Sequence, residues 1–95
     1  MYARVTNSQV AVDKVDEALS IWKDKVGPSL KQTKGFKGAY VTGDHATGKG
    51  VTITLWETKE DADATQATMP QVLALFEGVF SAPPSVDTYE VLLQV

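Results

Sequence analysis

Residues 35–63, GFKGAYVTGDHATGKGVTITLWETKEDAD, constrain the fold more than any other part of the chain. Two runs of β-branched and aromatic residues with period-two alternation flank a short stretch of turn chemistry, and a helix start follows at once. In the first run Phe36, Gly38, Tyr40 and Thr42 share one face, with Ala39 and Val41 on the other. In the second, Val51, Ile53 and Leu55 alternate with Thr52, Thr54 and Trp56. Between them, residues 43–50 hold Gly43, Gly48, Gly50, Asp44 and the only histidine, His45, which reads as a hairpin loop with a solvated imidazole.

The loop nearly spells a phosphate-binding motif, G-x-x-x-x-G-K-S/T. Gly50 stands where a magnesium-holding hydroxyl is needed, and the strand-like VTITLW follows where a helix is needed. No helix N-terminus would face a phosphate, so a nucleotide site is excluded.

On either side, the chain supplies packing partners for this hairpin. Residues 2–9 alternate, with Ala3, Val5 and Asn7 on one side and Tyr2, Arg4, Thr6 and Ser8 on the other. Asn7 closes the apolar row, either as a strand end or as a polar group at a pocket rim. Asp13 can cap a helix whose stripe is Val15, Ala18, Leu19, Trp22 and Val26. Gly27-Pro28 should end or kink it, and Gly35 should stop any continuation. Thr58, followed by Glu60 and Asp61, caps a second helix with Ala62, Thr65 and Met69 on its inner side. Pro70 restarts it, Val72, Leu73, Phe76, Val79 and Phe80 extend its stripe, and Pro83-Pro84 stop it. Residues 86–95 read as the last strand, with Tyr89, Val91 and Leu93 on one face.

Ninety-five residues make one domain, residues 1–95. A chain of this mass buries roughly 64% of its extended surface on folding, enough for one modest core. A net charge of −3 and dispersed cations give no footprint for nucleic acid. The absence of cysteine removes disulfides, thiolate catalysis and zinc–cysteine sites. No apolar run reaches the ~18 residues that span a bilayer, and the N-terminus lacks the pattern of a signal peptide. The cytoplasm is therefore the expected compartment, with no membrane partner.

The element order is β-α-β-β-α-β, which predicts an α+β, ferredoxin-like fold: a four-stranded antiparallel sheet with both helices on one face. Strand one is expected beside strand three, and strand four beside strand two. The aliphatic face of Val51, Ile53 and Leu55 is expected to meet the helices. That leaves Arg4, Tyr40, Thr52, Thr54, Trp56 and Leu92 on an open face too aromatic for plain solvent, which predicts a homodimer.

At this point the residues resemble a known family. The Gly-Phe-x-Gly-Ala-Tyr strand start, the Asp-x-x-Thr-Gly-Lys-Gly turn and the Thr-Leu-Trp-Glu-Thr strand end are similar to the core of the antibiotic-biosynthesis-monooxygenase-like proteins, a dimeric α+β-barrel family. The resemblance covers essentially the whole chain. It implies a single such domain pairing into a dimeric barrel. The family includes cofactor-independent oxygenases of aromatic, quinol-type substrates, haem-degrading enzymes, and members without known activity. The haem-degrading branch uses an Asn on strand one, a Trp in helix two and a His further along. Asn7 matches the first, while the other positions fall near Ala64 and Ala74, which argues against haem degradation.

Two functions follow as expectations. In the first, a small aromatic ligand binds between sheet and helices, or inside the dimer barrel, and is oxidised directly by dioxygen without cofactor or metal. Asn7 would be the catalytic, orienting residue, and Trp22, Tyr40, Trp56, Met69 and Phe76 would line the substrate pocket. The second is a non-catalytic ligand-binding or stress-associated dimer. The lack of any acid–base pair, nucleophile–base pair or metal cluster at a telling spacing favours it.

Overall fold

A computed structural model describes residues 1–95. Strands β1 (Tyr2–Val10), β2 (Phe36–Gly43), β3 (Lys49–Trp56) and β4 (Phe80–Glu90) form one sheet. Helices α1 (Val15–Ile21) and α2 (Gly27–Lys31) follow β1, and α3 (Lys59–Ala64) and α4 (Met69–Leu75) follow β3. The hairpin reads as expected: β3, not a helix, follows the glycine-rich loop.

Strand order is β2-β3-β1-β4 with every neighbouring pair antiparallel, which is the ferredoxin-like arrangement. β4 thus lies beside β1, correcting the expectation that it borders β2. The reason is handedness. With both helical arms on one face, a right-handed crossover from β1 moves one way across the sheet, and one from the oppositely directed β3 moves back past β1.

The first helical arm does not end at Pro28. A π-helical turn, Trp22–Val26, precedes it, and the Gly27 N–H reaches back to the Trp22 carbonyl. Pro28 then occupies the first turn of α2, where its missing N–H costs least. In the second arm the Thr58 hydroxyl caps α3 by accepting from the Asp61 N–H at 3.1 Å. A 3-10 turn, Thr65–Thr68, leads into α4, which stops at Leu75 instead of continuing through Phe80. A turn at Gly78 releases the chain into β4 at Phe80, six residues before the expected start at Val86, so Pro83 and Pro84 lie inside a strand. They are tolerated because β4 is an edge strand and its register against β1 shifts there, between Ser85 and Ala82. Residues 91–95 lie outside any strand.

The faces of the sheet are inverted relative to expectation. Arg4, Thr52, Thr54 and Trp56 are buried beneath the helical arms. Val51, Ile53 and Leu55 share the other face with Ala3, Val5 and Asn7, their register partners on β1. A bulge between Phe36 and Gly38 also flips the phase of β2, so Phe36 lies with Trp56 while Tyr40 lies opposite Ile53. Tyr40 therefore separates from the Trp56 side. The dry core, Val10, Val26, Phe76 and Val79, gathers where β1 ends and β4 begins, with Phe76 and Phe80 stacked at 4.9 Å.

Candidate functional site

Next to that core, of which Val10, Val26 and Phe76 form part of the lining, sheet and helical arms do not close on each other. They enclose a cavity of about 820 Å³, within the size range of small-molecule sites. Its sheet wall is the alternate row of β1 and β3: Arg4, Thr6 and Ser8, with Thr52, Thr54 and Trp56. Leu19, Trp22 and Leu30 come from the first arm, and Met69, Val72 and Phe76 from the second. The hairpin loop contributes Asp44, His45 and Gly48.

Within the sheet wall, Trp56 is held by packing and a hydrogen bond. Trp56 is 0% exposed. Its indole N–H donates to the Thr54 hydroxyl at 2.9 Å, and its ring meets Phe36 edge to face at 5.5 Å. Period two places Thr54 and Trp56 on the same side of the strand, so the hydroxyl that satisfies the buried indole is supplied from within the sequence.

Beside it stands Arg4, 6% exposed and the only charged residue in the buried set. Its guanidinium donates to the Ala62 carbonyl at 3.4 Å and to Gln66 Oε1 at 3.1 Å, and lies 3.7 Å from Met69 Sδ. Burial lowers the Arg4 pKa from its ordinary value, and the negative charge of Asp63 pushes it back up. Arginine nevertheless stays charged at neutral pH.

The hairpin loop is pinned across the end of β1. Gln9 Nε2 donates to the Thr47 carbonyl at 2.6 Å, and the Val10 N–H donates to the Gly48 carbonyl at 2.8 Å. His45 is not free in solvent: Nε2 lies 3.2 Å from Asp16 Oδ1, joining the loop to α1, although its side chain remains 69% exposed.

Of the residues expected to line a pocket, Trp22, Trp56, Met69 and Phe76 do line this cavity. Tyr40 does not. It is 65% exposed on the other face, beside a shallower depression bordered by Gly38, Leu55 and Gln94. Asn7 does not either: it pairs with Val51 and Ser85 on the face turned away from the cavity. Neighbouring residues of one strand point to opposite sides: Asn7 lies off the cavity because the helical arms cover the alternate row of β1, and Tyr40 because the bulge inverts β2. Arg4 belongs with Thr52, Thr54 and Trp56 to the row expected on the open face, and is not among the expected site residues. Its signal was present, because a cation in register with Thr6 and Ser8 belongs to the same polar row as Thr52 and Thr54.

No group of three or more His, Cys, Asp or Glu side chains could hold a metal ion. No helix is long and apolar enough to cross a membrane. A haem held by an axial imidazole does not fit the cavity, because the sole histidine sits at its exposed rim, paired to Asp16. Ala64, near the place of the haem-degrader tryptophan, lines the cavity without an aromatic ring.

No family model matches the chain. Two uncharacterized proteins of Mycobacterium tuberculosis, from strains CDC 1551 and H37Rv, are each 25% identical over 91 residues, covering 96% of this chain and 41% of theirs. The chain thus spans about two fifths of the length of these curated relatives. Among solved structures, a monooxygenase from the ActVA-Orf6 gene of Streptomyces coelicolor, in complex with nanaomycin D, superposes with a TM-score of 0.77 at 14% identity, covering 99% of this chain and 89% of that one. A candidate antibiotic biosynthesis monooxygenase of Nitrosomonas europaea gives 0.76 at 18% identity, covering 98% and 100%. A haem-degrader of M. tuberculosis with two haems in its active site gives 0.73 at 19% identity, covering 100% and 99%.

Proposed function

From the premise that this chain has the antibiotic biosynthesis monooxygenase fold, we propose that it is a cofactor-independent monooxygenase-like protein whose cavity takes a small aromatic, quinol-type substrate. The observation that carries this reading is the cavity itself, walled by Trp22, Trp56, Met69 and Phe76. Oxidising a phenol-type ring to a quinone places one atom of dioxygen on the ring and releases the other as water, so the substrate supplies every electron. The protein has then to orient the ring, exclude water and stabilise the electron-rich anion that reacts with oxygen. Aromatic and thioether walls orient a flat ring, and the buried Arg4 cation favours its anion.

One observation favours a second reading, a non-catalytic ligand-binding protein. The titratable side chains that line the cavity besides Arg4, namely Lys25, Asp44, His45 and Lys49, are all exposed, and none forms an acid–base pair inside. An oxygen electrode separates the two. With a panel of naphthols and anthrone, the enzyme reading expects uptake of one dioxygen per substrate, well above the buffer rate. A substrate that binds and is returned unchanged under oxygen supports the second reading.

Both readings share a homodimer, formed by covering the aliphatic sheet face with a second copy. Val5, Val51, Ile53 and Leu55 are only half-buried there, and Tyr40 and Tyr89 stand exposed around them. An apolar row of this kind on a small sheet calls for a partner. Native mass spectrometry should find a dimer. Ile53→Asp, which puts a carboxylate at the centre of that face, should weaken pairing by at least ~100-fold and yield a folded monomer. A wild-type monomer at micromolar concentration would remove this part of the proposal.

A further inference from the structure

The cavity also points to a class of ligand, an inference that rests on the reading of the cavity as a ligand site. We propose that it binds organic acids: Arg4 takes the ligand's carboxylate, and the apolar body lies against Trp22, Met69 and Phe76.

Three observations converge. Arg4 is buried within the cavity wall, and none of the chain's ion pairs includes it. The nearest influential carboxylate, Asp63, is exposed and stands 3.9 Å from Lys59 Nζ. A guanidinium taken out of water without a facing anion is costly, and an incoming carboxylate removes that cost. Second, the donors are under-used. Contacts with Ala62 O, Gln66 Oε1 and Met69 Sδ occupy three of the five N–H groups. Nε–H and one Nη1–H remain, on different edges of the guanidinium, so a carboxylate takes one of them singly and gains a paired donor only by displacing the weak thioether contact from Nη2. Third, the head is anchored: the Ala62 carbonyl and Gln66 hold it against the second helical arm, next to cavity-lining Thr65 and Met69. The charge is therefore fixed in the sheet wall among the hydroxyls of Thr6, Ser8, Thr52 and Thr54, while Trp22, Met69 and Phe76 supply apolar surface and Lys25 and Lys49 stand exposed.

Binding of 2-naphthoate and 2-naphthamide, which differ only in charge at one end, tests the assignment by isothermal titration at fixed salt. Wild-type protein should prefer the carboxylate by ~10- to 100-fold, the range charge-assisted hydrogen bonds support. Arg4→Gln should abolish the preference while changing the amide's affinity by less than ~3-fold. Gln66→Glu, at an exposed position, supplies an internal carboxylate to the same guanidinium. It should abolish the preference too, and it serves if Arg4→Gln does not fold. Equal binding of the two probes by wild type overturns the Arg4 subsite but leaves the cavity reading intact. No binding of either overturns both. A preference that survives Arg4→Gln, or survives Gln66→Glu where Arg4→Gln does not fold, overturns the assignment to Arg4.

Discussion

Trp56→Ala is expected to cost about 3–5 kcal/mol of stability, the range for emptying a buried aromatic site. For a chain of this length, whose total stability is roughly 5–14 kcal/mol, that is a large fraction. The melting temperature should fall by at least ~12 °C. Several losses combine. The indole is wholly sealed from solvent, so its full area returns to water or leaves a void. Phe36 loses the ring that it meets edge to face. The Thr54 hydroxyl, buried with Trp56, loses its donor. Trp56→Phe separates these contributions: it keeps most of the packing, removes the N–H, and should cost about 1–2 kcal/mol. Urea titration at fixed protein concentration measures both. A loss below ~1 kcal/mol for Trp56→Ala would show that the indole is not sealed in the sheet wall as described.

Gly48→Ala should cost about 2–5 kcal/mol, several times more than an exposed loop substitution ordinarily does. Gly48 has φ +77°, where a Cβ carries a penalty of roughly 1–2 kcal/mol. It is also buried, and a Cβ there would overlap the backbone carbonyl oxygen of Val10. Backbone cannot swing aside as a flexible side chain can, so the loop must lift from β1 and break the Val10 N–H to Gly48 hydrogen bond. Gly78 supplies the control. Its φ is +80°, but a Cβ there meets nothing within 4 Å. Gly78→Ala should therefore show the conformational penalty alone, about 1–2 kcal/mol. Amide exchange should report the same difference locally, with Val10 losing protection in Gly48→Ala and keeping it in Gly78→Ala. Equal losses in the two variants would mean that the hairpin loop is not pinned to β1.

Much of the framework was legible in local signals. The Thr58 cap and the hairpin between Gly43 and Lys49 depend on neighbours close in sequence and stand where the pattern put them, whereas the helical arms have other bounds: Lys14, not Asp13, precedes α1, and α4 stops at Leu75. Trp22, Trp56, Met69 and Phe76 line the cavity, Trp56 from the sheet face expected to lie open. Asn7 and Tyr40 lie off the cavity for separate reasons. For Asn7, alternation shows that a strand has two different faces and is silent about which one the helices cover. For Tyr40, a bulge of one residue, at Phe36–Gly38, is enough to invert the remainder of β2.

By itself, then, the order and periodicity of the residues determined the kind of elements, their succession and the ferredoxin-like class, because hydrogen bonding and turn chemistry act over a few positions. Only the tertiary structure decided that β4 lies against β1, that the polar row of Arg4, Thr52, Thr54 and Trp56 faces inward, and that a buried cation therefore stands in the cavity wall. Those outcomes depend on crossover handedness and on which sheet face the helical arms select. Both involve contacts between residues far apart in the chain, such as Arg4 with Ala62 and Gln66, which no local pattern encodes.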